Sequence, residues 1–69
     1  MRLTTRQIAR ALGRDESAAR RRITAWRRKG VTVETSQTGG RPTQTVAVAD
    51  VARLVGLTEA DVLALAGVA

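Results

Sequence analysis

Ser17, Arg20, Arg21 and Thr24 are the residues of this chain whose types and spacing suit hydrogen bonding to the edges of nucleic-acid bases. An arginine bonds the O6 and N7 acceptors of a guanine with two donors at once. A serine hydroxyl pairs with either donor or acceptor, and a threonine touches a thymine methyl. Around them stand Arg6, Arg14, Arg27, Arg28 and Arg41, cations of the kind that hold phosphate and so fix a register without reading sequence. At 3.6 residues per turn, Ser17, Arg21, Thr24 and Arg28 share one face of a helix, while Ala19, Ile23 and Trp26 recur at i, i+4 and i+7 on the opposite face. Residues 15–29 therefore predict a helix that docks by one face and offers the other to a polyanion.

Composition narrows the chemistry further. With 69 residues the chain is one small domain, and a domain of this size buries only about 60% of the surface its unfolded form exposes. An ordinary catalytic cleft is not expected in it. There is no cysteine and no histidine, which removes disulfides, thiol nucleophiles, most zinc sites and the usual general base. The expectation is a binding protein, not an enzyme, with no metal and no cofactor. No apolar run approaches the roughly 18 residues of a membrane span, and the first residues lack the apolar core of a secretory signal, so a cytoplasmic, nucleoid-associated location is expected.

Charge divides the chain. Through Arg41 there are eleven cations against Asp15, Glu16 and Glu34, a net of +8; beyond it Arg53 faces Asp50, Glu59 and Asp61, a net of −2. A basic front and a slightly acidic, apolar tail point to two surfaces with different partners, because phosphate attracts the first and not the second.

The elements that position these residues can be read in order. Thr4 as N-cap with Gln7 three residues on forms a capping box, and Leu3 with Ile8 a hydrophobic staple, opening a helix that runs to about Leu12 with Ile8, Ala11 and Leu12 inward. Gly13 ends it in the left-handed conformation. Asp15 caps the next helix, with Glu16 favourable in its first turn. A small Ala9, a glycine turn, then inward Ala19 and Ile23 match helix-turn-helix spacing, although a plain helical hairpin has the same spacing. The N-terminal half of the second helix would then read bases, Arg21 first, with Arg27 and Arg28 on backbone and Thr24 on a thymine methyl or a phosphate. Arg14, with Arg6 or Arg10, adds phosphate contacts. Arg22 snorkels from the edge of the buried face. Trp26 either stacks on a base or, the commoner role for such a stripe, fills the core.

Lys29-Gly30 closes the helix. Val31–Thr35 and Thr43–Val48 read as two strands joined by a turn over residues 36–42, with Val31, Val33, Val46 and Val48 inward and Arg41 near the tip. A lone hairpin is not stable, so this one must pack on the helices as a wing. Asp50 is placed to cap a short helix, Val51–Val55, closed by Gly56. Thr58 caps another, with Asp61 as its partner and a Leu57–Val62 staple. Val62, Leu63, Leu65, Ala66 and Val68 make residues 57–69 apolar enough to cover the core, to self-associate, or both.

Leu3-Thr4-Thr5, Ile8-Ala9, Leu12-Gly13, Arg20-Arg21 with Ile23, Gly39-Gly40-Arg41, and Val46–Val51 before Leu54 together resemble the MerR-type winged helix-turn-helix of phage excisionases and small actinobacterial regulators. The likeness covers about residues 3–56. It departs from the pattern at Arg14 and Arg22, where apolar residues are common, and in a wing without an aromatic. The resemblance implies an α+β winged helix-turn-helix over residues 1–56, with Ser17, Arg20 and Arg21 reading the major groove of double-stranded DNA and Arg41 on phosphate or the minor groove. It also implies cooperative, often head-to-tail binding at repeated sites that bends DNA. The expected function is that of an excisionase-like recombination directionality factor or a small transcriptional regulator. A different class stays open: a protein-interaction module whose apolar tail engages a recombinase, a polymerase or its own copy.

Overall fold

The computed structural model describes residues 1–38 and 40–68, apart from the side chains of Ser36, Gln37, Thr38 and Arg41. Within them the chain runs β1 (Arg2–Thr4), α1 (Thr5–Leu12), α2 (Glu16–Arg28), β2 (Val33–Thr38), β3 (Arg41–Ala47), α3 (Val48–Val55) and α4 (Glu59–Leu65). This is an α+β arrangement of four helices and a three-stranded antiparallel sheet in the order β1-β3-β2.

The helix ends follow from local chemistry. Thr4 Oγ1 accepts from the Gln7 backbone N–H at 3.2 Å, and Gln7 Oε1 accepts from the Thr4 N–H at 2.9 Å, so both halves of the capping box form. Gly13 sits at φ 67°, ψ 34° and its N–H returns to the last turn of α1. A side chain there would strain the left-handed conformation that turns the chain into α2. Asp15 Oδ1 accepts from the Ala18 N–H at 2.8 Å and starts α2. Replacing Thr4 with Ala is expected to cost about 1 kcal/mol and to lower the melting temperature by roughly 4–8 °C, as read by circular dichroism. An unchanged transition would show that the box carries no weight.

The buried side chains form a single cluster. Leu3, Ile8 and Ala9 meet Ala19, Ile23 and Trp26 of α2, and Val46, Val48, Val51, Ala52, Val62 and Ala66 complete it. Ala19 and Ile23 are 0% exposed and Trp26 is 5% exposed, so the tryptophan belongs to the core and is not free to stack on a base. Val62 and Ala66 also lie inside, which makes α4 part of the core. Leu57 and Leu65 remain 41% and 51% exposed.

Four sequence expectations are corrected. The sheet has a third strand: Arg2, Leu3 and Thr4 pair with Ala47, Val46 and Thr45, so Leu3 is a strand residue that shares the core cluster with Ile8 of α1. The hairpin is longer and its turn tighter than residues 36–42 implied. β2 begins at Val33 and not Val31, and pairing continues through Ser36↔Thr43 and Gln37↔Pro42 to Thr38↔Arg41. Pro42 is tolerated in the central strand because β1 pairs only with residues 45–47, leaving β3 a neighbour on one side at that level. Gly39 lies outside the described residues.

The third correction concerns α3, which starts at Val48, directly after β3. Ala47 is its N-cap, without a side-chain bond, and Asp50 lies inside the helix, 3.0 Å from Arg53 Nη2. The inward Val48 is therefore a helix residue. Finally, at α4 only half of a capping box forms: Thr58 Oγ1 accepts from the Asp61 N–H at 3.1 Å. The Leu57–Val62 staple is open on the Leu57 side.

The root of the hairpin is tied to β1 by one guanidinium. Arg2 Nη2 donates to the Thr45 carbonyl at 2.8 Å, and Nε lies 3.0 Å from Thr45 Oγ1 and 2.8 Å from Glu34 Oε2. Arg2 thus spans all three strands. Among the described residues no helix is long and apolar enough to cross a membrane.

Candidate nucleic-acid interface

With Ala19, Ile23 and Trp26 buried, the angular position of every other α2 residue is fixed. Ser17, Arg21, Thr24 and Arg28 are exposed on the face opposite the core, and Arg20 and Arg27 are exposed on the flank toward the hairpin. Thr24 Oγ1 donates to the Arg20 carbonyl at 3.0 Å, which spends its proton on the helix and leaves its methyl and an acceptor lone pair outward. That fits contact with a thymine methyl and disfavours donation to a phosphate. Arg14, in the turn before α2, is exposed as well.

Between α2 and the sheet runs an open groove of about 800 Å³. Thr4, Thr5 and Arg6 at the start of α1 form one end, Glu16, Arg20 and Arg27 of α2 one wall, and Thr35, Pro42, Thr43 and Gln44 of the hairpin the other. Three guanidinium groups, four threonines, an amide and one carboxylate line the trough, and away from the carboxylate its chemistry suits a chain of phosphates: fixed cations beside neutral donors. No charged side chain is buried among the described residues, so the cations here carry no desolvation cost before a ligand arrives.

The structure separates residues that the sequence had grouped. Arg6 faces the groove, whereas Arg10, its alternative, lies against the end of α4: a Cβ built on Gly67 would sit 3.1 Å from Arg10 Nη1. Arg2 is occupied within the sheet. Arg20 stands on the groove flank and Arg21 on the outward face, one step apart in sequence and on different surfaces. The side chain of Arg41 lies outside the described residues, although its backbone closes the hairpin opposite Thr38.

The groove's hydroxyl and amide wall, from Thr35, Thr43 and Gln44, was absent from the sequence reading, as was Glu16 as a groove residue. For the α2 wall a signal existed: Glu16, Arg20 and Arg27 at i, i+4 and i+11 fall on one helical flank. For the hairpin wall none did, because its residues meet α2 only through the fold. Compared with known protein families, with curated proteins and with solved structures, the chain matches nothing.

Proposed function

We propose that this chain is a winged helix-turn-helix protein that binds double-stranded DNA in a sequence-specific way, with no enzymatic activity and no cofactor. α1 and α2 are the helix-turn-helix, β2 and β3 the wing. The outward face of α2 enters the major groove, where Ser17, Arg21 and Thr24 meet base edges; Arg28 and Arg14 hold backbone. Arg6, Arg20 and Arg27 take phosphates in the trough beside it, and Arg41 reaches backbone or minor groove from the wing tip. Arg20 therefore shifts from base reading to backbone. The observation that carries this reading is the continuity of the exposed α2 face with a groove lined by three arginines.

The role we propose is that of an excisionase-like recombination directionality factor or a small transcriptional regulator, acting in the cytoplasm on the nucleoid and self-associating along DNA. About six phosphate contacts predict a slope near −5 in a log-log plot of duplex affinity against salt. Fluorescence anisotropy on labelled duplex from low to moderate salt measures it. A slope near zero would remove the reading.

A second class of function has its own support. Leu57 and Leu65, 41% and 51% exposed, lie in the part of the chain beyond Arg41, whose net charge is −2 and which phosphate does not attract. On that reading the winged helix is a scaffold, and this part binds a recombinase, RNA polymerase or a second copy. Weak, sequence-blind retention on duplex would favour it.

A further inference from the structure

One acidic residue sits in the cationic groove. Glu16 lines it together with Arg6, Arg20 and Arg27, and neither ion pair among the described residues involves it. It is therefore not held in an ion pair by the arginines that share the wall. Along the α2 flank the order is Glu16, then Arg20 about 6 Å further on, then Arg27 about another 10 Å away, at 1.5 Å of rise per residue. The groove wall is thus polarised, negative at the start of α2 and positive toward its end.

A phosphate chain laid in this groove is attracted at Arg20 and Arg27 and repelled at Glu16. A base offers the carboxylate what a phosphate cannot, an exocyclic amino group, and cytosine N4 is the donor with which Glu pairs in the major groove. We propose that Glu16 is a specificity-determining residue: it rejects the phosphate backbone at one end of the groove and accepts an amino group of a cytosine there. This rests on the DNA-binding reading above and adds to it a residue that trades raw affinity for discrimination.

The first-turn position of Glu16 also gives it a helix-stabilising role, and Glu59 holds the equivalent position in α4. That makes Glu59→Gln the control for any loss of helix stability. Affinities of the full-length protein and of Glu16→Gln, Glu16→Asp and Glu59→Gln are measured for a duplex selected by the wild type from random sequence, and for random duplex, at one salt concentration. A unit charge about 7 Å from a phosphate in water changes affinity about threefold. Glu16→Gln is therefore expected to bind random duplex about three- to tenfold tighter, with no gain on the selected duplex, so that the ratio of the two affinities falls by at least that factor. Glu16→Asp and Glu59→Gln are expected to keep the wild-type ratio. A ratio that is unchanged or larger in Glu16→Gln overturns the proposal while leaving DNA binding intact. Wild-type protein without salt-dependent duplex binding overturns both.

Discussion

A chain ending at Gly56 is expected to be unfolded, with no cooperative melting transition and no preference among duplex sequences. Removing residues 57–69 takes away Val62 and Ala66, both fully buried, and uncovers the faces of α1 and α3 on which α4 packs. Full burial of a valine side chain is worth about 1.5–3 kcal/mol, and Leu63 and Val68, packed against the same cluster, add to it. A domain of this length has a total stability of roughly 3–10 kcal/mol. The loss is therefore of the same order as the whole. Circular dichroism during heating checks it. A 1–56 fragment that melts cooperatively and keeps the sequence preference of the full chain would show α4 to be dispensable, a covering for an interface and not for the core.

Arg21→Ala is expected to flatten the preference among duplex sequences while leaving the fold intact, because the residue is exposed and touches nothing in the core. A bidentate arginine–guanine pair carries about 1–3 kcal/mol of discrimination, so one base position should lose roughly five- to 150-fold selectivity. Arg27→Ala is the contrast. It should weaken binding to every duplex alike and make the salt slope shallower by about 0.9, the contribution of one phosphate. Selection from random duplex followed by sequencing distinguishes them. If Arg21→Ala selects the same sequences as the wild type, the outward face of α2 is not the reading face.

What could be read from the residues was whatever is decided within a few positions. The capping box of Thr4 and Gln7, the cap at Asp15, the left-handed glycines after α1 and α3, and the docking of α2 through Ala19, Ile23 and Trp26 all depend on neighbours one to seven residues away. The arginines of the candidate interface were legible for the same reason, since a helix turns at a known rate. Features made by distant segments were not. β1 is three residues long, too short for any periodicity, and its partner lies more than 40 positions on. The hairpin outgrew its expected length because backbone pairing continued past the last apolar residues, where alternation gives no signal. Asp50 looked like a cap because a carboxylate before an apolar run usually is one; here the backbone becomes helical as soon as the sheet ends at Ala47. The groove needed α1, α2 and the hairpin at once.

The pairing of β1 with β3 also sets the order in which the molecule can be made. Arg2 finds Thr45 across 43 positions of chain, and closing so long a loop has to precede any gain from the contact. During synthesis α1 and α2 leave the ribosome first and can dock on each other by neighbouring contacts, with their arginines already on display. The first strand has nothing to pair with until residues 45–47 emerge, and the last core side chains arrive only with α4. The nascent chain therefore displays the cations of α1 and α2 before it has a sheet to hold them in register, and that sheet can close only once residues 45–47 have emerged.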